Sequence, residues 1–193
     1  MFRRTTRQSP FWPAAALLAL LAAPHTLLAQ QGMTLSGNFN NGNFYRSQLS
    51  PGVEITYLGN PVGSDATPNM TWKAPPKGTK SFALVMEDIS VNPANDTSPD
   101  PRGKYTHWVV YNIPKDVQQL SRDVLKAATV DVPYQGPNPP KGETHTYVFT
   151  LYALNTDKLT LAEGVEVTAE AMRTAMQGRT IGQPAEVRVR FGY

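Results

Sequence analysis

One aspartate, two histidines and a tyrosine stand where apolar runs begin or end. Asp88 closes the run that starts at Ser81, His107 opens the run to Ile113, and His145 and Tyr147 head the run to Leu154. A spacing of two places His145 and Tyr147 on one face of a strand. An imidazole near its ordinary pKa donates hydrogen bonds and carries positive charge when protonated. A carboxylate beside it fixes a tautomer or raises its pKa, and a tyrosine hydroxyl adds a neutral donor. If the loop ends of these strands lie together, the four side chains suit a small anion. Asp88, His107 and His145 also make a two-histidine, one-carboxylate set that could hold Fe(II) or Zn(II) and support metal-dependent chemistry. Their wide separation supplies no local metal motif. In the bland alternative, Asp88 caps a turn and both histidines are satisfied inside the fold. No Gly-x-Ser-x-Gly elbow and no Gly-rich phosphate loop occurs in the sequence.

Four strand signals position these groups. Ser81–Met86 is continuously apolar, as in a strand buried on both faces. His107–Ile113 is β-branched and aromatic, and Pro114 stops it. In Thr144–Leu154 the residues His145, Tyr147, Phe149 and Leu151 share one face, and Thr146, Val148, Thr150 and Tyr152 the other. In Ala185–Phe191, Ala185, Val187, Val189 and Phe191 point inward, and Glu186, Arg188 and Arg190 outward. One helix is expected over Ala169–Gln177, capped by Thr168, stapled by Val167 and Met172, and ended by Gly178. A shorter turn is expected within Leu159–Gly164. Residues 30–68 suggest short strands and turns, with Asn60–Pro68 a loop. Residues 115–133 are polar and weakly periodic and predict no regular element. Ser90–Lys104 is a charged loop, and Tyr134–Glu143 is stiffened by prolines. The pattern predicts a mainly β chain, an antiparallel sandwich with one or two small helices.

The chain has 193 residues, 18 basic and 15 acidic side chains, three histidines and no cysteine. The missing cysteines exclude a disulfide framework, a Cys-based zinc site, an iron–sulfur cluster and a thiol nucleophile. The N-terminus joins Arg3, Arg4 and Arg7 to an apolar stretch that ends in Ala29. This reads as a secretory signal peptide over residues 1–29, with the domain over 30–193. Pro24 and His25 interrupt the apolar stretch, which falls short of the roughly 20 residues that span a bilayer, so no stable membrane anchor is expected. The Arg3–Arg4 pair raises the twin-arginine export route, which its flanking residues fit poorly. Removing residues 1–29 takes three arginines and no acid, leaving 15 basic and 15 acidic residues and a net charge of zero. The basic excess thus belongs to export. Arg188 and Arg190 alone are too small a patch for nucleic acid.

The segments Thr67–Trp72, Thr79–Asp88 and His107–Pro114 together resemble the first signature of the phosphatidylethanolamine-binding proteins, also called Raf-kinase-inhibitor-like proteins, in their bacterial branch. The stretch Tyr134–Tyr147, followed by Phe149–Leu154, resembles the second. The resemblance spans residues 33–193 and implies a β-sandwich with a small pocket for anionic groups such as a phospholipid head-group phosphate. By position, Asp88, His107, His145 and Tyr147 match pocket residues, and Gly136, Pro139 and Pro140 match the pocket-lining loop. The family's Asp-Pro-Asp-Ala-Pro is replaced by Asp88-Ile89-Ser90-Val91-Asn92, which implies a less negative and less rigid wall. Thr146 stands where the family has arginine or a similar residue, and the strand that runs up to Tyr193 implies that the C-terminal helix of eukaryotic members is missing.

These observations predict an exported, periplasmic or secreted binding protein for a small anionic or phosphorylated ligand, without catalysis, cofactor or metal. The resemblance leaves two further readings: an inhibitor of a secreted hydrolase acting through the Ser90–Lys104 loop, and a homodimer as in bacterial members.

Overall fold

Short elements come first along the chain. A computed structural model describes residues 32–57, 60–91 and 104–193. In it β1 (Thr34–Gly37), a single 3-10 turn (Arg46–Gln48), β2 (Thr56–Tyr57), β3 (Asn60–Pro61) and β4 (Met70–Lys73) precede the long strands. These are β5 (Ser81–Asp88) and β6 (Tyr105–Pro114). Then follow β7 (Gln119–Leu120), α1 (Arg122–Ala127), β8 (Thr129–Val132), β9 (Thr144–Leu154), α2 (Ala169–Ala175) and β10 (Ala185–Gly192). The signal peptide expected over 1–29 and most of the Ser90–Lys104 loop lie outside the described residues.

The larger antiparallel sheet runs β10-β9-β5-β6-β8, with β5 at its centre. All eight residues of β5 are buried, as its unbroken apolar run requires. Its side chains divide by alternation. Phe82, Leu84 and Met86 join Trp108, Phe149, Leu151 and Val189 in one apolar cluster. That cluster also takes in Met70 and Trp72 of β4 and Leu120 of β7. The sheet β1-β4-β7 thereby covers this face, with the Trp72 and Phe82 rings 5.2 Å apart. Ala83 and Val85 turn the other way, against Met172 and Met176 at α2. The result is a mainly β sandwich with two short helices. Burying each large apolar side chain contributes about 1.5–3 kcal/mol, which makes the β5 alternation the main determinant of register.

The helix α2 starts as its sequence predicts. The Thr168 hydroxyl accepts from the Ala171 amide, and Gly178 takes the left-handed conformation. The helix ends at Ala175, two residues before the predicted Gln177.

Three expectations need correction. Residues 115–133 hold β7, α1 and β8, with Ser121 capping α1 by accepting from the Val124 amide. Each of these elements is too short to display a period. Asn60–Pro61 pairs with β2 instead of opening a loop. Within Leu159–Gly164 the turn is confined to the end, where the Val165 amide donates to the Ala162 carbonyl.

Candidate functional site

Strand pairing brings the predicted residues to one end of the larger sheet. Asp88, the last residue of β5, lies directly opposite Tyr147 of β9 and Tyr105 of β6. His107 sits two residues into β6 beyond Tyr105, and His145 two residues before Tyr147. The Tyr147 ring lies between the histidines, its centroid 5.2 Å from His107 and 6.5 Å from His145.

The loop after β8 closes the other wall through backbone contacts. The Gln135 amide donates to the His107 carbonyl at 2.9 Å, and the His107 Nδ1–H donates to the Gln135 carbonyl at 2.8 Å. The Tyr134 hydroxyl donates to the Gln48 carbonyl. Gly136 then passes so close to the backbone of Gln48–Ser50 that a Cβ at this position would overlap it. Its amide donates to Asp65 Oδ1 at 2.6 Å. The Gly136 identity is therefore explained by close chain approach, and its amide is already engaged.

These walls enclose a cavity of about 460 Å³. All seven sequence-predicted residues line it: Asp88, His107, Gly136, Pro139, Pro140, His145 and Tyr147. Asp65, Tyr105, Gln135 and Glu143 also line it and were not predicted. Glu143 had a signal available, since it continues the alternation of His145 and Tyr147. Asp65 lies in a loop with a φ of 49°, and nothing in its neighbourhood marks it.

The two histidines are in opposite electrostatic situations. His145 Nδ1 lies 2.6 Å from Asp88 Oδ2, and Nε2 lies 3.0 Å from Glu143 Oε2. Carboxylates only accept, so both nitrogens donate and the ring is an imidazolium. Burial alone would lower its pKa, but the hydrogen bonds to Glu143 and Asp88 outweigh this and raise it above the ordinary value. At His107 burial dominates and pulls the pKa down, despite the Gln135 carbonyl and the Asp88 charge. His107 is therefore neutral, with its proton on Nδ1 and its lone pair on Nε2. Burial and the Asp88 carboxylate together push the Tyr147 hydroxyl well above its ordinary pKa, keeping it a neutral donor.

The Ser90 replacement does not leave the wall loose. The Ser90 amide donates to Asp88 Oδ1 at 2.9 Å, and its hydroxyl accepts from the Thr146 amide at 2.9 Å. Nor is the pocket poor in negative charge, because Asp65 and Glu143 stand with Asp88. Among the described residues no group of three or more His, Asp or Glu is arranged to hold a metal ion. Asp88, His107 and His145 thus form no such group among the described residues.

A model of the phosphatidylethanolamine-binding protein family matches residues 32–191. The chain belongs to this family. As a phosphatidylethanolamine-binding-protein-like chain, it is 34% identical over 145 residues to a UPF0098 protein of Aquifex aeolicus, covering 68% of this chain and 78% of that one. It is 35% identical over 117 residues to the UPF0098 protein YbhB of Escherichia coli, covering 53% and 68%. Among solved structures it is similar to Escherichia coli YbcL, with a TM-score of 0.61 and 25% identity over 83% of this chain and 98% of that one. Similar too is the family homologue CT736 of Chlamydia trachomatis, with a TM-score of 0.60 and 26% identity over 84% and 98%. The family is one of ligand-binding proteins, and the cavity lies within the matched region.

Proposed function

We propose that the cavity holds a small anion, or the phosphorylated head group of a larger molecule, as a binding site without catalysis in a protein that acts after export. The observation that carries this reading is the buried imidazolium of His145 beside the hydroxyl of Tyr147 and the ring of His107. A phosphate oxygen there gains a charge-assisted hydrogen bond from side chains that are themselves buried. A second anionic oxygen calls for a donor at His107 Nε2, so binding draws a proton onto that ring.

Titration calorimetry with inorganic phosphate and with phosphoethanolamine tests the reading and separates a free anion from a head group. His145→Ala and His107→Ala each lower affinity about tenfold or more, as expected for a hydrogen bond to a charged group. Affinity that is unchanged in both variants removes the site from this cavity.

A further inference from the structure

The donor that the proposed anion needs is already taken. His145 Nε2 faces the cavity side, and Glu143 Oε2 accepts its proton at 3.0 Å. The opposite nitrogen gives no alternative, because it is bound to Asp88, whose side chain is only 5% exposed. The Glu143 side chain is 42% exposed and lines the cavity. An anionic oxygen that reaches His145 Nε2 must occupy the place held by the Glu143 carboxylate. Two negative oxygens cannot share one donor at that distance.

We propose that Glu143 is a specificity-determining residue of this pocket: its carboxylate stands in for the ligand on His145 and must swing away before an anion binds. This rests on the anion-site reading above. The local backbone suits a side chain that moves while its main chain stays fixed. The Glu143 amide donates to the Pro140 carbonyl at 3.0 Å, and the Gly142 amide to the Tyr193 carbonyl at 2.7 Å. Gly142, at a φ of 87°, completes the turn. Because the turn is held by backbone bonds, truncating the Glu143 side chain leaves the wall standing. The consequence is a pocket that rejects weak anions and admits those with enough contacts to displace an internal carboxylate.

The test is inorganic phosphate titrated into wild type, Glu143→Ala and Glu143→Gln by calorimetry. Glu143→Ala binds phosphate about tenfold or more tightly than wild type, the worth of a charge-assisted hydrogen bond no longer broken. Glu143→Gln shifts the same way by less. A second readout follows the carboxyl carbon of Glu143 by NMR, which moves to the shift of a solvated carboxylate as wild type saturates with phosphate. Unchanged or weaker phosphate binding in both variants overturns the proposal, as does a Glu143 resonance that stays still at saturation. If wild type binds phosphate in a His107-dependent way and the variants gain nothing, only the role of Glu143 fails. If none of the three proteins binds phosphate, the anion-site reading fails and this role with it.

Discussion

The two pocket histidines give the folded chain opposite dependences on pH. His145 has a pKa raised above 6.5, so its stabilisation is complete below about pH 6.5 and is lost as pH rises through the folded value. His107 has a pKa lowered from 6.5, so its contribution is present above that value and is lost as pH falls through the folded one. Thermal melts from about pH 5 to 9 on wild type, His145→Gln and His107→Gln check this. The advantage of wild type over His145→Gln is largest at the acid end, about 3–5 kcal/mol for a broken buried pair, and shrinks as pH rises. Against His107→Gln the comparison moves the other way, in favour of wild type as pH rises. Differences that stay flat with pH contradict the assigned charge states. The pair itself was legible in the sequence because both residues stand at the start of apolar runs. Their charges were not, because these depend on Glu143, Asp65 and the Gln135 carbonyl, which only tertiary contact brings near.

The adjacent residues Glu87 and Asp88 serve the two faces of one strand. Asp88 faces the cavity, while Glu87 turns to α2 and is gripped by Arg173 through two bonds of 2.8 and 3.0 Å. A seven-residue helix has little stability of its own. It is held by Ala169, Met172 and Met176 against the sheet and by this ion pair. Arg173→Met should cost about 1–3 kcal/mol in urea denaturation, since it strands a buried carboxylate but leaves the partly exposed arginine side to solvent. Phosphate affinity should stay at the wild-type value, because the pair lies on the far side of the sheet. A loss of affinity would mean that the two faces communicate. The four long strands were legible from alternation or unbroken apolarity, and α2 from Thr168 and Gly178. The elements missed were β3, β4, β7, α1 and β8, each of two to six residues. Over such lengths the apolar positions Val117, Leu120, Val124, Leu125 and Val130 never complete a repeat, and long-range pairing decides the conformation.

At the scale of the whole molecule, the division of charge gives the proposed export a direct test. The basic excess lies entirely in residues 1–29, and the remainder is neutral. Expressed with its full N-terminus in a bacterium, the protein should be recovered outside the cytoplasm and begin at Gln30 or within a few residues of it. Intact-mass analysis reads this directly, and a mature protein that retains Met1 and Phe2 rules out cleavage. The placement of β5 also has a kinetic consequence. Its partner β9 follows it by more than fifty residues, as the pairing of Asp88 with Tyr147 shows. A nascent chain therefore carries the apolar segment Phe82–Met86 with one edge unsatisfied until synthesis has passed Leu154, the end of β9. Such non-local pairing slows folding and lengthens exposure to self-association. If the proposed export carries the chain across a membrane unfolded, that delay is an advantage: the segment most able to commit it to a compact state waits for a strand that arrives late.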